Sequence, residues 1–330
     1  MKLQKQNNRK KKTNTIYLTI FIGVIIGLFL VLCIYIYYNN QEHFENENIK
    51  NNNGENSKIA FLFLTYTNLK RPDIWNKFFD DKNSNKFTIY NHAKEPEQVT
   101  DILLKDRHIP EHINTGWGQF NLVEANILMI KNALEDPLNK KFILVSDSCI
   151  PIVSFDTFYN EIMKDSNTII TIHNNINLDR YDKIINPNFP KEEFIKHSGS
   201  GLVLNVKHAK LLVSVLDNYK NNWKDVFCAD EHYIGNILRV LDTDFIINNN
   251  NNNIKTTFDI WRKDKLNINN ICNNNNNETI CIYNNMYLQS PALINNISNK
   301  MIDELRDKKF LLMRKVDDKT EIDINYLVNS

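Results

Sequence analysis

WGQFNLVEANILMIKNALEDPLNKKFILVSDSCIPI, from Trp117 to Ile152, carries a helix followed at once by a strand. Leu122, Val123, Ala125, Ile127, Leu128, Ile130, Ala133 and Leu134 recur at helical spacing, and Asp136-Pro137 closes the run. KFILVSD (Lys141 to Asp147) then reads as a central strand that ends in polar residues. Upstream, IAFLFLTY (Ile59 to Tyr66) is a short apolar run with a polar break after it, which suits a buried parallel strand. FTIYNHA (Phe87 to Ala93) is a second strand, and between them Pro72 opens a helical stretch with spaced aromatics. Downstream, TIITIH (Thr168 to His173) and GLVLNV (Gly201 to Val206) read as strands. KHAKLLVSVLDNY (Lys207 to Tyr219) and DEHYIGNILRVL (Asp230 to Leu241) read as helices. Strands alternating with helices predict an α/β domain around a mostly parallel central sheet.

The 330 residues carry a formal net charge of +1, too balanced for bulk nucleic-acid binding. The charge is uneven, however: Lys2, Lys5, Arg9, Lys10, Lys11 and Lys12 crowd the N-terminus without an acidic residue among them. Directly after them IYLTIFIGVIIGLFLVLCIYIYY (Ile16 to Tyr38) is uncharged and long enough to cross a hydrocarbon core of about 30 Å. It exceeds a signal-peptide apolar region and no small-x-small cleavage site follows it. We therefore expect a basic cytosolic tail over 1–15, a transmembrane helix over 16–38 and a flexible Asn/Glu-rich stem over 39–57. The single folded domain should occupy 58–330 on the lumenal (Golgi/ER-type) or extracytoplasmic side, a single-pass type II topology. Within it, the Asn-rich runs near 247–254 and 273–277 read as surface loops.

Cys33 lies in the expected span, which leaves Cys149, Cys228, Cys272 and Cys281. Four thiols permit two disulfides in three connectivities, a local Cys272–Cys281 bridge among them. Asn277-Glu278-Thr279 and Asn296-Ile297-Ser298 are glycosylation sequons that suit lumenal exposure, although an Asn-rich chain produces such triplets by chance.

Four segments offer chemistry, each with a plainer alternative. In VSDSCIPI (Val145 to Ile152) a strand delivers Asp147 and Ser148 to the sheet edge, where ligands of open α/β sheets bind. Asp147 there is either a hydroxyl acceptor for a ribose or sugar, or a capping residue of a simple turn. In FCADEHYIGNIL (Phe227 to Leu238), Asp230 and Glu231 are either a helix cap and dipole partner or a general base at a helix start. HSGSGLVLNVKHA (His197 to Ala209) opens with small residues, Ser198, Gly199 and Ser200, that permit close backbone approach, without matching a Walker loop or a dinucleotide fingerprint. FLLMRKV (Phe310 to Val316) ends in Arg314 and Lys315, which are either a solvated element end or cations for a diphosphate. Asp242-Thr243-Asp244 is a literal Asp-x-Asp, but it follows the DEH helix instead of the central strand, and we read it as incidental.

In order along the chain these segments resemble the Core-2/I-branching glycosyltransferases, especially the plant-type branch. W-G-x-x-x-L-V-E-A, A-L-x-D-P-x-N and L-x-S-D/E-S-C-I-P all stand between Trp117 and Ile152, and CADEHYIGNIL and FLLMRKV match later family segments. The resemblance implies a GT-A-like fold and an inverting transfer from a UDP-sugar, UDP-N-acetylglucosamine ahead of UDP-xylose, to a hydroxyl of a glycan or glycoprotein. It implies Glu231 as catalytic base and Asp147 and Ser148 as donor contacts. Ser198, Gly199, Ser200 and Asp230 would form the loop beside donor or acceptor, with Trp117, Gly118 and Glu124 on the donor side. Lys315 with Arg314 would stabilise the leaving diphosphate in place of a metal, so no metal or other cofactor is expected. The chain also departs from the pattern: the family's G-S-Q-W-F becomes Gly199-Ser200-Gly201-Leu202-Val203, and I-P-T becomes Ile234-Gly235-Asn236. Three rivals follow: an inactive glycan- or nucleotide-sugar-binding protein on the same fold, a metal-dependent transferase using Asp242 and Asp244, and a purely structural membrane protein.

Overall fold

Strand β1 (Lys58–Thr65) shows why the apolar run is unbroken. Ala60 and Leu62 point to one side of the sheet and Ile59, Phe61 and Phe63 to the other, and all five are buried. The computed structural model describes residues 57–173, 176–242, 245, 255–260, 281–284 and 291–328. The expected tail, the 16–38 span, the stem up to residue 56, the two Asn-rich tracts, Cys272 and Asn277 lie outside the described residues.

The central sheet has the order β2-β1-β3-β7, where β2 is Phe87–Ala93, β3 is Asn139–Ser146 and β7 is Val203–Asn205. β1 runs parallel to β2 and β3, as the sequence predicts, but β7 is antiparallel to β3, so the sheet is mixed. The cause is the turn before β7. Ser200 Oγ accepts from Ser146 N at 3.1 Å, and Gly201 N donates to Leu144 O at 2.6 Å, which fixes the turn at the C-terminal end of β3. The chain enters the sheet from that end and must run back along its neighbour. TIITIH is also less regular than expected: only Ile172–His173 (β5) is a strand, paired with Lys196–His197 (β6), and Ile169 makes a single bridge to Val203.

Helices cover both faces. Helix α1 (Pro72–Phe78) and α4 (Phe155–Met163) press an aromatic cluster onto Phe61, with Trp75, Phe78, Phe79 and Phe158 in mostly edge-on contact. Truncating Phe61 to Ala would remove its share of this packing, worth about 3–5 kcal/mol. Between them in sequence lie the short α2 (Ile102–Lys105) and α3 (Asn121–Ala133). On the opposite face α3 packs with α5 (Val206–Trp223) and α6 (Tyr233–Leu241) against Leu62, Phe142 and Leu144. Asn205 starts α5 by accepting from His208 N at 2.8 Å, a short N-cap that lets the helix begin directly off β7.

A smaller layer flanks the sheet. β4 (Ile150–Pro151), β8 (Lys255–Phe258) and β11 (Phe310–Met313) form one three-stranded sheet in the order β4-β11-β8. β9 (Cys281–Asn284), β10 (Leu293–Ile297) and β12 (Glu321–Ile322) form another, with α7 (Asn299–Asp307) and α8 (Ile324–Val328) nearby in sequence. Ile150, Ile294, Met301, Met313 and Leu327 share their core. The antiparallel pairing of Met313 with Ile150 and Leu312 with Pro151 brings the end of β11 beside the loop that leaves β3. That contact positions the site.

Candidate active site

β3 ends on Ser146, and the next residues are fixed by backbone contacts. Asp147 Oδ2 accepts from Tyr66 N at 3.3 Å, and its carbonyl accepts from Lys70 N at 2.9 Å, so the carboxylate sits where β1 and β3 both end. The Ser148 carbonyl accepts from Val316 N at 2.9 Å and ties this loop to the residues after β11. Cys149 beside it is fully buried, and burial pushes its thiol up to about 12, so it stays a packing residue at neutral pH. Cys149 and Cys228 are both free thiols.

Arg314 and Lys315 follow β11 directly. Burial pulls the Lys315 ammonium down to about 8, adjacent Arg314 pulls the same way, and Asp147 and Glu231 oppose them. Lys315 thus stands within electrostatic reach of two carboxylates that are 84 positions apart in sequence (231 − 147). Arg314 acts on Asp230 in the same way.

Asp230 and Glu231 do not begin a long helix. Cys228 adopts a left-handed backbone (φ 51°), Ala229–Glu231 is a short 3-10 turn, and α6 starts only at Tyr233. The capping role offered for Asp230 therefore does not hold: His232 occupies the cap position, and Asp230 Oδ1 is buried without a hydrogen-bond partner among the described residues. Burial, helped by the Glu231 charge, raises the Asp230 carboxyl to about 6, while Arg314 and Arg180 pull against the rise. Gly199 lies against this pair; a Cβ there would come 3.2 Å from Asp230 Oδ2 and 3.9 Å from Glu231 Cγ.

Glu231 is held by two cations that sequence reasoning missed. Its Oε2 receives Arg180 Nη1 at 3.0 Å and Lys196 Nζ at 3.4 Å, and all three side chains are largely buried. Among the described residues both contacts fall on Oε2, which leaves Oε1 without one. Arg180 Nη1 also lies 2.9 Å from His232 Nε2, whose other nitrogen, Nδ1, is 2.8 Å from the Ile195 carbonyl. Burial lowers His232 to about 3, so the ring is neutral, donates from Nδ1 and accepts the guanidinium proton at Nε2. No periodicity singles out Arg180, which lies in an irregular stretch. Lys196 directly precedes the small-residue segment, and its proximity to that segment was the available signal.

Ser198 and Ser200 support the loop: Ser198 Oγ lies 2.9 Å from His173 Nε2, and Ser200 Oγ holds Ser146 N. Gly201, standing where the family has Gln, has φ +83°, and a Cβ there would fall 1.7 Å from Thr257 Oγ1. This backbone has no room for the missing side chain. Leu202, in place of Trp, is buried.

Trp117, Gly118 and Glu124 gather around Phe227. Trp117 meets the Phe227 ring edge-on at 5.3 Å, Gly118 (φ +73°) passes so close that a Cβ would fall 2.4 Å from Phe227 Cε2, and Glu124 lines the adjoining cleft. Asn296 is half-buried in β10 and donates from Nδ2 to Glu321 Oε2 at 2.7 Å. Asp242 is already engaged, with His208 Nε2 at 3.0 Å and Lys207 Nζ at 2.9 Å on its Oδ2, while Asp244 lies outside the described residues. Burial would raise the Asp242 carboxyl, but those two partners outweigh it and hold it below the usual carboxylate range.

The model of the Core-2/I-branching enzymes matches residues 59–290, more than half of the chain. The chain belongs to the Core-2/I-branching enzyme family. A relative, Glycosyltransferase BC10 of Oryza sativa subsp. japonica, is 28% identical over 213 residues, covering 56% of this chain and 53% of the rice protein. The chain thus aligns with about half the length of that relative. The Core-2/I-branching match runs through the Asp147 loop, the Gly199 turn and Glu231, and ends before Arg314 and Lys315.

Proposed function

We propose that this Core-2/I-branching protein is an inverting, GT-A-like glycosyltransferase that moves a sugar from a UDP-sugar to a hydroxyl of a glycan or glycoprotein. N-acetylglucosamine is the proposed sugar. The observation that carries the proposal is Lys315, a half-buried cation within electrostatic reach of both Asp147 and Glu231. A carboxylate beside a cationic diphosphate site is what inverting transfer needs. Glu231 Oε1 takes the proton of the acceptor hydroxyl as that oxygen bonds to the anomeric carbon, and the bond to the diphosphate oxygen breaks with its electron pair leaving on UDP. Lys315 and Arg314 stabilise the negative charge that develops on the leaving group, and Asp147 accepts from a donor hydroxyl. In this scheme no metal takes part, since two adjacent cations occupy its role. The proposal places the catalytic domain on the lumenal or extracytoplasmic side of a membrane crossed by residues 16–38.

One observation favours the inactive binding protein as a second candidate: the backbone at Gly201 has no space for the family's Gln. The deciding experiment incubates the full-length chain with a panel of UDP-sugars and mixed glycan acceptors in EDTA and measures UDP release. Release from one donor is the expected result. No release from any donor, with UDP still bound, would favour the binding protein, and release that EDTA abolishes would restore a metal.

A further inference from the structure

Three histidines near the carboxyl end of β2 take no part in the proposed transfer. His92, 2% exposed, stacks on the exposed His112 with ring centres 5.1 Å apart and planes 6° apart. Among the described residues no group of side chains could hold a metal ion, these included. What they do is fasten the irregular segment 106–116 to β2. Ile113 N donates to His92 Nε2 at 3.0 Å, and His112 Nε2 donates to the Ala93 carbonyl at 3.1 Å. Asn91 Oδ1 accepts from Thr65 Oγ1, so it is the Asn91 amide nitrogen that donates to His108 Nδ1 at 3.3 Å. A ring nitrogen that accepts carries no proton. Neutral His92 is therefore protonated at Nδ1 and neutral His108 at Nε2, and both of those nitrogens are buried without a hydrogen-bond partner among the described residues. In each ring the lone pair that would take a second proton is the one that holds the segment.

We propose that His92 and His108 form an acid-released latch on the segment that leads to Trp117 and Gly118. Charging either ring turns its acceptor nitrogen into a donor that faces the N–H it was holding. Burial, then His112, then His108 pull His92 down to about 4, against a weaker pull from its own carbonyl. Burial and His112 also lower His108, which Asp106 opposes. The other ionisable groups on the packed elements are Tyr90 and Lys94 beside His92, Lys105 on α2, Arg107 and Glu111 in the segment, and Glu124 and Lys131 on α3; none of them shifts His92. Released His92 returns to the ordinary value of 6.5, so the released state binds more protons. The latch is whole above about pH 6.5 and weakens as pH falls toward 4, with a roughly 30-fold gain in the released fraction between pH 7.5 and pH 5. The backbone bonds of Asn91 to Arg107 and Ile109 do not titrate, which confines the release to 110–118. That stretch reaches the site through three links. Asn121 donates to the Asn114 carbonyl at 2.8 Å and accepts from Gly116 N at 2.9 Å, joining the segment to the Trp117–Gly118 turn. The Gly118 carbonyl accepts from Cys228 N at 2.8 Å, and the Cys228 carbonyl accepts from Glu231 N at 3.1 Å.

The test is hydrogen–deuterium exchange of the full-length chain at pH 7.5 and pH 5, each rate divided by its intrinsic rate at that pH. It is read at the Ile113 amide, at the Cys228 amide and along β1. Protection at Ile113 should fall roughly 30-fold at pH 5 and protection at Cys228 should fall with it, while β1 stays protected and shows that the domain is folded. His92→Gln keeps an acceptor near the Nε2 position but takes no proton, so its loss at Ile113 should stay below about threefold. His92→Ala should show the released level at both pH values. A wild-type fall below about threefold at Ile113, or an equal fall in His92→Gln, would overturn the latch. A fall at Ile113 with Cys228 unchanged would overturn its link to the Glu231 turn, and a matching fall along β1 would replace the latch with global unfolding. Exchange is read without donor or turnover, so the result stands apart from the transferase role of Glu231.

Discussion

Gly201 is the point at which the chain departs from its family and at which the structure makes a quantitative demand. Replacing it by Ala adds a Cβ at φ +83°, a backbone that costs a non-glycine residue on the order of 1–3 kcal/mol. The same Cβ would fall 1.7 Å from Thr257 Oγ1, in a buried position, and the forced repacking costs about 1–3 kcal/mol more. The sum, about 2–6 kcal/mol, corresponds to a fall of roughly 3–11 °C in Tm for a domain of this size. Thr257→Ala removes the closest atom but leaves Cβ at 2.9 Å and Thr256 Oγ1 at 3.2 Å, so the double variant should recover part of the repacking share and none of the backbone share. Melting of the four proteins by circular dichroism at one scan rate checks both statements. The turn also places Ser200 under Ser146 and thereby Asp147, so Gly201→Ala should weaken UDP binding before it unfolds the protein. A Gly201→Ala protein that melts within about 1 °C of wild type, with or without Thr257→Ala, would refute the reasoning.

Three further outcomes follow from the site. Lys315 is cationic below about pH 8, so kcat/KM for the donor should fall as pH rises through that value, and Lys315→Arg should move the fall to higher pH; a profile flat to pH 10 contradicts this. Arg180→Ala removes charge-assisted hydrogen bonds to Glu231 and His232 worth about 1.5–3 kcal/mol, a loss of roughly 10- to 100-fold in kcat/KM that steady-state kinetics would show. Buried His92, His197 and His232 are lowered to about 4, 4 and 3, so the unfolded chain binds more protons than the folded one below about pH 6.5. Their contribution to stability is whole above that pH and is lost as pH falls toward 4, against the opposite and smaller effect of Asp230, and a Tm that holds steady over this window would disprove it.

The central strands were legible because burial on both faces leaves a run such as IAFLFLT with no other role, and FTIYNHA became β2 without a residue of difference. α3 was legible from its apolar spacing. The direction of β7 was not, since it depends on where the Ser198–Leu202 turn sits, and that is fixed by contacts to Ser146 and Leu144 from more than 50 positions away. Asp230 misled for the opposite reason: an acidic residue before an apolar helical stripe signals a cap, and only the left-handed Cys228 backbone shows that the helix starts later. Glu231, Lys315 and Asp147, the residues of the proposed mechanism, stand in recognisable motifs. Arg180 carries no such signal, because it lies in an irregular stretch and reaches Glu231 only through a contact across the fold.

The most direct measurement compares UDP release by wild type and Glu231→Gln, with donor and acceptor present. Glutamine keeps the shape and the Arg180 contact but cannot take a proton, so turnover should fall by at least about 100-fold while UDP still binds. Turnover by Glu231→Gln within tenfold of wild type would show that Glu231 is not the base and would contradict the mechanism built around it.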